Sequence, residues 1–170
     1  MLVAAMNPCP CGFLGDERHE CRCSHTQIRR YRGKISGPLL DRIDIHVEVP
    51  AVAYRELAGQ GARGASSAEM AKRVAAARQR QVERFDEAPI HCNAQMQSRH
   101  IRRFCVVDTV GHRLLENAVD RLGLSARAYN RVLKIARSIA DLEGSETITP
   151  GHIGEAIQYR SLDRRKCTLV

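Results

Sequence analysis

The chain has 170 residues, with 27 Lys and Arg against 19 Asp and Glu and a formal net charge of +8 at pH 7. This length supports one sizeable hydrophobic core or two small ones. No apolar run approaches the roughly 18 residues of a membrane-spanning helix, and no signal peptide is visible, so we expect a cytoplasmic protein without a membrane partner. Aromatic residues make up only 4% of the chain, which argues against a platform that stacks single-stranded bases.

The charge is unevenly distributed along the chain. Residues 1–50 hold 7 Lys and Arg against 6 Asp and Glu, whereas the remaining residues hold 20 against 13. Such a basic excess favours polyanionic partners, nucleic acid first, but a basic solvated face without a partner explains it equally well.

Two short apolar runs frame the first fifty residues. The runs from Leu2 to Met6 and from Ile43 to Val49 have the length of strands, and a proline follows each closely. Asn7 lies at the end of the first run, where polar residues of an open α/β sheet face ligands. Arg42 precedes the second run and would therefore face a different surface.

Four of the seven cysteines form two close pairs, which are Cys9 with Cys11 and Cys21 with Cys23. Two C-x-C pairs joined by a nine-residue loop could supply the four thiolate ligands of a tetrahedral zinc site. Reduced free thiols and disulfides are the alternatives, and a reducing compartment disfavours disulfides. His19 and His25 are either substitute ligands or solvated loop histidines.

A basic cluster follows the cysteine loop. Thr26 could cap a short helix through Arg32 that ends at Gly33. The cluster consists of Arg29, Arg30, Arg32 and Lys34. It could meet a neighbouring subunit or DNA phosphates, or it could be an ordinary solvated face.

The character of the chain changes after Pro50. Glycine-rich residues 51–65 predict a linker between residues 1–50 and residues 66–160. Residues 66–160 predict a helical bundle, because N-terminal caps and helical periodicity mark five segments. The predicted caps are Ser66, Asn93, Asp108, Ser125 and Thr149. Residues 161–170 predict a flexible tail.

Two of these helices carry further expectations. In the first, the predicted inward face comprises Ala71, Val74, Ala75, Arg78, Val82 and Phe85. In the fourth, Arg127 falls in the first turn, where an arginine opposes the positive end of the helix dipole at a cost of about 0.3 to 1 kcal/mol. A functional arginine and an ordinary surface arginine both fit this position, and Arg131 lies one turn further on the same face.

The chain resembles the C-terminal half of the magnesium-chelatase-like AAA+ ATPases of the ComM/YifB type in the segments AAMNPCPCGFLGD, CRC, SGPLLDRIDIHVEVP and LGLSARAYNRVLKIARSIADLEG. This resemblance implies a mainly α fold, in which an incomplete α/β core segment precedes a C-terminal helical lid bundle. It also implies that Asn7 is the sensor 1 residue, Arg42 the arginine finger and Arg127 the sensor 2 arginine, with Arg131 as its rival for the γ-phosphate.

The sheet order of that family places its P-loop strand between the two apolar runs. Without this strand the runs lack their shared neighbour, so we expect residues 1–64 to be poorly ordered or irregular. No G-x-x-x-x-G-K-[ST] motif occurs in the chain. We therefore interpret the chain as part of a longer ATPase that binds ATP and Mg²⁺, and we expect no ATP hydrolysis by this chain alone.

The resemblance implies an ATP-driven ring, a hexamer, that acts on DNA in branch migration during recombination and competence. Its subunits would be one another's partners, and DNA would be the substrate. The alternatives are the ATPase motor subunit of a magnesium chelatase and a non-enzymatic helical or zinc-binding interaction module.

Overall fold

The computed structural model describes residues 2–50, 52, 54, 58 and 64–160 of the chain. These residues fall into two compact units, of which one contains residues 2–42 and 48–50 and the other combines Ile43–Val47 with residues 64–160. Most of the linker predicted at 51–65 and all of the tail predicted at 161–170 lie outside the described residues.

The first unit contains two helices, α1 at His25–Arg32 and α2 at Gly37–Leu40. The N-terminal cap of α1 is Ser24, so the predicted cap at Thr26 is wrong. The Ser24 hydroxyl accepts a hydrogen bond from the Gln27 N–H at 3.3 Å, and the Gln27 side chain accepts one from the Ser24 N–H at 2.9 Å. This reciprocal pair satisfies two amides at once, and Thr26 has no such partner three residues further on.

Neither apolar run forms a strand within the described residues. Leu2 and Val3 are 73% and 81% exposed, and Ile45 and Val47 are 51% and 65% exposed. The expectation of irregular structure is confirmed at these two runs. A strand without a neighbour cannot satisfy its backbone hydrogen-bonding groups within a sheet.

Five helices build the second unit, which are α3 at Ser67–Arg84, α4 at Ser98–Phe104, α5 at Thr109–Leu122, α6 at Ala126–Glu143 and α7 at Pro150–Gln158. Helix α6 is central and packs against α3, α4 and α7, while α5 packs against α7. This is the mainly helical bundle that the sequence predicts. No helix within the described residues has the length and apolar character needed to cross a membrane.

Four of the five predicted caps are confirmed, namely Ser66, Asp108, Ser125 and Thr149. Helices α5 and α6 end at Gly123 and Gly144, whose φ angles of 60° and 78° place them in the left-handed region that glycine tolerates. The cap predicted at Asn93 is wrong. Asn93 begins a single 3₁₀ turn, Asn93–Gln95, and the α-helix starts only at Ser98.

The inward face of α3 also differs from the prediction. Phe85, at the end of the helix, is buried as predicted, but the buried residues within the helix are Ala77 and Gln81, whereas Val74 and Val82 are 50% and 53% exposed. The helix is rotated towards its polar side because Arg84 is held by a buried carboxylate of α6. Polar contacts of Arg84, together with the burial of Phe85, therefore set the orientation of α3.

The hydrophobic core lies around α6. Phe85 and Phe104 meet edge to face, with ring centroids 5.4 Å apart and planes at 84°. The most deeply buried apolar residues of the bundle are Leu115, Ala128, Val132, Ala136, Ala140, Ile153 and Ala156. The apolar periodicity of α6 and α7 thus predicts the core correctly.

A polar network is buried beside this core and centred on Asp141, which is 0% exposed. Its carboxylate pairs with the Arg84 guanidinium, accepts from Arg137 Nε at 3.1 Å and accepts from Asn93 Nδ2 at 2.7 Å. A buried charge is tolerated only when its lone pairs are satisfied in this way. The network joins α3, the 3₁₀ turn and α6.

Candidate functional site

The four cysteines of the two C-x-C pairs converge in the first unit. The Sγ atoms of Cys9, Cys11, Cys21 and Cys23 all lie within 4.8 Å of one another. The Cys9 Sγ lies 3.3 Å from that of Cys11 and 3.7 Å from that of Cys21. Cys9 is fully buried, and the other three are partly buried. We name these four residues the cysteine cluster.

A tight turn creates the cysteine cluster. The Gly12 N–H donates to the Cys9 carbonyl oxygen at 3.1 Å, and Gly12 has a φ of 85°. This left-handed conformation favours glycine, and it lets Cys9 and Cys11 face the same point. A Cβ at position 12 would lie 3.8 Å from Asn7 Nδ2, so the turn also packs beside the Asn7 side chain.

The thiols of the cluster differ in acidity. A hydrogen bond from the backbone of Phe13, followed by one from the Cys9 thiol, lowers the pKa of Cys11 to about 6. Burial, chiefly, raises the pKa of Cys23 to about 12. Metal binding requires deprotonated thiols, so a metal ion in the cluster would favour thiolates at all four positions.

The separations of the cysteine cluster fit a tetrahedral metal site. Zinc binds thiolate sulfur at about 2.3 Å, which places the sulfurs of a Cys₄ site roughly 3.8 Å apart. Within the described residues, the cysteine cluster is the one group of metal-ligating side chains close enough to share an ion. The cluster can therefore hold a soft divalent metal.

The two neighbouring histidines do not join the cluster in the described structure. His19 packs its ring against Phe13, with centroids 4.8 Å apart, and its Nδ1 lies 3.4 Å from an Asp16 carboxylate oxygen. His25 is an exposed residue in the first turn of α1. Both positions agree with solvated histidines that are not metal ligands, but His25 lies in a helix and not in a loop as predicted.

The two other candidate residues of the first unit lie on its surface. Asn7 is exposed and sits next to the cysteine loop. Arg42 is also exposed, and its Nη1 donates to the Pro38 carbonyl oxygen at 3.2 Å. This bond closes the short helix α2 and leaves most of the guanidinium accessible.

The candidate arginines of the second unit both lie on the first half of α6. Arg127 is exposed in the first turn. Arg131 is one turn further on, with its side chain 21% exposed and its Nη1 2.8 Å from an Asp44 carboxylate oxygen. Asp44 belongs to the extended segment Ile43–Val47, where the His46 N–H donates to the Tyr159 carbonyl oxygen at 2.8 Å. Arg131 therefore helps to fasten this segment to the bundle.

A groove of about 540 Å³ in the second unit contains none of the predicted site residues. Arg84, Arg103 and Arg137 line it together with Asp108 and Glu146. Arg84 and Arg137 are already committed to Asp141, and Asp108 caps α5. These commitments explain the polar lining as part of the scaffold.

The sequence of residues 64–160 matches the family described as magnesium chelatase, subunit ChlI C-terminal. Residues 1–57 match the family described as magnesium chelatase, subunit ChlI. The chain belongs to the magnesium chelatase family. The two matches meet near the boundary between residues 1–50 and the helical bundle.

Curated relatives match almost the whole of this magnesium chelatase family chain. It is 42% identical to competence protein ComM of Haemophilus influenzae and 42% identical to the uncharacterized protein YifB of Escherichia coli, in each case over 96% of the chain and 31% of the relative. An uncharacterized protein of Mycobacterium tuberculosis is 34% identical over 97% of the chain and 32% of its own length. The chain thus spans about a third of the length of these relatives.

One side chain that positions the site was not predicted. Arg32 Nε donates to the Pro8 carbonyl oxygen at 3.0 Å and so ties α1 to the start of the cysteine loop. The sequence assigned Arg32 only to the basic cluster, because no local pattern links residues this far apart. The C-x-C spacing, by contrast, was a sufficient signal for the cysteines.

Proposed function

We propose that this chain supplies the phosphate-sensing and lid portions of an ATP-driven ring motor that acts on DNA. The observation that carries the proposal is the pair of consecutive family matches, residues 1–57 and 64–160, to subunit ChlI and to its C-terminal part. The similarity to a competence protein supports DNA as the substrate, since competence is the uptake of DNA. The remaining two thirds of the longer relatives would supply the P-loop that binds ATP and Mg²⁺.

Asn7 and Arg42 have the chemistry that the motor requires. Asn7, as sensor 1, would orient the attacking water through its side-chain amide. Arg42, as the arginine finger, would stabilise the charge that develops on the phosphoryl group of a neighbouring subunit. Arginine suits this role because it stays charged and can bond two phosphoryl oxygens. The exposure of both side chains supports contacts with groups outside their own unit.

Arg127 is the proposed sensor 2 residue of the lid. It is exposed near the N-terminus of α6, where local helix stability disfavours a cation. Arg131, its rival for the γ-phosphate, is paired with Asp44. A bond from α6 to the nucleotide would couple the nucleotide state to the angle of the lid.

Zinc is the metal that we propose for the cysteine cluster. Cys9, Cys11, Cys21 and Cys23 would be its four ligands, and four thiolates favour zinc over hard cations such as Mg²⁺. A site closed by four protein ligands has no open position for a substrate. Zinc would therefore stabilise the loop between Asn7 and α1 and take no part in ATP hydrolysis.

A chimera tests the motor proposal. ComM of Haemophilus influenzae, with this chain in place of its matching segment, should turn over ATP at a rate close to that of unmodified ComM. The Arg42→Ala substitution should lower turnover by about 10³-fold or more, which is the contribution typical of an arginine finger. Arg102→Ala, at an exposed arginine of α4, is the matched control and should leave turnover unchanged.

Two results would contradict the proposal. Unaltered turnover in the Arg42→Ala chimera would remove the finger assignment. A chimera that folds and assembles but hydrolyses no ATP, beside active ComM, would show that this chain does not serve in such a motor.

A second candidate function is the ATPase subunit of a magnesium chelatase, because the matched family carries that description. The same chimera separates the two functions. Stimulation of ATP turnover by DNA supports the DNA motor. Stimulation by a tetrapyrrole-binding chelatase subunit, with no response to DNA, supports the chelatase.

A further inference from the structure

Helix α1 and its flanks form a strongly basic stretch that the motor proposal does not use. Between Glu20 and Asp41 the sequence contains no acidic residue. The same stretch contains five basic residues, namely Arg22, Arg29, Arg30, Arg32 and Lys34. The positive charge is therefore concentrated rather than interleaved with carboxylates.

The packing of α1 divides these cations between two sides of the helix. Ile28, Tyr31 and Arg32 are partly buried and mark the inward side, where Arg32 bonds the Pro8 carbonyl oxygen. Arg29 and Arg30 are exposed on the opposite side. The helix is thus anchored by one arginine while its neighbours point into solvent.

The exposed cations differ from those of the scaffold in their ionic contacts. In the described part of the chain, no carboxylate forms an ion pair with Arg22, Arg29, Arg30 or Lys34. Cations that serve the scaffold behave differently, since Arg84 and Arg131 each hold a carboxylate. The helix dipole favours cations in the last turn of α1, but this effect does not extend to Arg22, which precedes the helix. We name Arg22, Arg29, Arg30 and Lys34 the α1 basic face.

We infer that the α1 basic face binds the phosphate backbone of DNA, an inference that rests on the proposed DNA motor. A protein partner would require an apolar or aromatic anchor at the centre of its interface. None of the exposed large hydrophobic side chains of the described residues lies on α1. Exposed cations without such an anchor match the chemistry of phosphate groups.

The nature of the contact sets its specificity. Arginine and lysine bound to phosphate position a protein on DNA without reading its sequence. Within α1, Tyr31 is partly buried on the inward side, so no exposed aromatic ring is offered for base stacking. The α1 basic face therefore binds DNA independently of base sequence and with strong salt dependence.

The experiment compares two double variants of the full 170-residue chain. Arg29→Gln with Arg30→Gln removes two cations of the α1 basic face. Lys72→Gln with Arg73→Gln removes two adjacent exposed cations of α3 and is the matched control, because the net charge of both variants is the same. The probe is a fluorescent DNA duplex of mixed sequence. Its binding is followed by fluorescence anisotropy at about 50 to 200 mM KCl, because log affinity should fall linearly with log salt concentration over this range.

For the wild-type chain, a plot of log affinity against log salt concentration should have a slope of about −3 to −4, which corresponds to about four phosphate contacts. The Arg29/Arg30 variant should bind on the order of tenfold more weakly at low salt, with a slope smaller by about 2. The Lys72/Arg73 variant should keep the wild-type slope. Circular dichroism should show that both variants fold as the wild type does.

Several outcomes would overturn the inference. One is the absence of binding by the wild-type chain at about 50 mM KCl, the lowest salt concentration of the series and therefore the one that favours phosphate contacts most. Another is an equal loss of affinity in both variants. Competition by poly-glutamate as effective as competition by DNA at equal charge would assign the face to an acidic protein. The basal ATP turnover of the chimera is measured before DNA is added, so a failed DNA surface and a failed motor give different results.

Discussion

Arg32 donates a hydrogen bond from its Nε to the carbonyl oxygen of Pro8 at a distance of 3.0 Å. Pro8 immediately precedes Cys9, the buried member of the cysteine cluster. The bond therefore connects the only inward-facing arginine of α1 to the backbone that carries the first thiol. Helix and loop are stabilised together, and two predictions concern this connection.

Loss of the Arg32 bond should weaken metal retention. We expect Arg32→Ala to speed zinc release to a chromogenic chelator by roughly fivefold, equivalent to about 1 kcal/mol for one partly exposed hydrogen bond. Arg29→Ala removes a neighbouring arginine without this bond and should release zinc at the wild-type rate. Equal rates of zinc release from the two variants would contradict a role of the Arg32–Pro8 hydrogen bond in metal retention.

The cysteine cluster should bind about one zinc ion per chain, because its four thiols form a single Cys₄ site. Cys9→Ser replaces the fully buried ligand and should abolish stoichiometric zinc in the purified protein, measured by elemental analysis. Cys92→Ser changes a partly buried cysteine outside the cluster and should leave the zinc content unchanged. A wild-type chain purified without zinc, and unable to take it up under reducing conditions, would disprove the assignment.

Asp141 should be the most sensitive polar position of the bundle. Asp141→Asn leaves Arg84 and Arg137 without their shared carboxylate, and we expect a loss of about 3–5 kcal/mol in the free energy of unfolding. Glu116→Gln, at an exposed carboxylate of α5, should change this free energy by less than about 0.5 kcal/mol. Urea denaturation measures both. A small effect at Asp141 would mean that the network contributes little.

The same carboxylate should make the bundle acid-sensitive. Burial alone would raise the pKa of Asp141, but hydrogen bonds from Arg84 and Asn93 outweigh it and hold this pKa below its usual value. A carboxyl group whose pKa is lowered by folding stabilises the fold at pH values above its unfolded pKa of about 3.9. This stabilisation is lost as the pH falls from the unfolded pKa through the lower pKa of the folded state. Urea midpoints measured across this range should therefore fall more steeply for the wild type than for Asp141→Asn.

Two helical glycines should respond in opposite directions to alanine. A Cβ at Gly111 would lie 2.4 Å from Val107 Cγ1, and the branched valine cannot move away easily, so Gly111→Ala should destabilise the bundle by about 1–3 kcal/mol. Gly154 has no atom within 4 Å of its Cβ position, and Gly154→Ala should stabilise α7 by up to about 1 kcal/mol. Thermal melts distinguish the two, and a stabilised Gly111→Ala variant would contradict the close packing.

The features that could be predicted from the sequence are those with local causes. Ser125 and Gly144 mark the ends of α6 because capping depends on a few neighbouring atoms. The convergence of the two C-x-C pairs could be predicted because each pair places two thiols one residue apart, and a tight turn at Gly12 holds the first pair. The helical bundle of residues 66–160 was predicted from the apolar periodicity and the caps of its helices.

The features that were missed depend on distant partners. Val74 and Val82 have helical spacing, yet they are exposed because Arg84 commits the other side of α3 to Asp141. Asn93 has the chemistry of a cap but is buried in the same network. Such long-range polar contacts leave no periodic trace, so neither the rotation of α3 nor the short 3₁₀ turn could be predicted.

Val107 and Ile148 form an isolated parallel bridge between two otherwise irregular segments. Each is followed at once by the cap of a helix, Asp108 for α5 and Thr149 for α7. The bridge thus clamps the starts of two helices that are distant in the chain. The bridge therefore opposes fraying at both helix starts, because either start can unwind only by giving up its contact with the other.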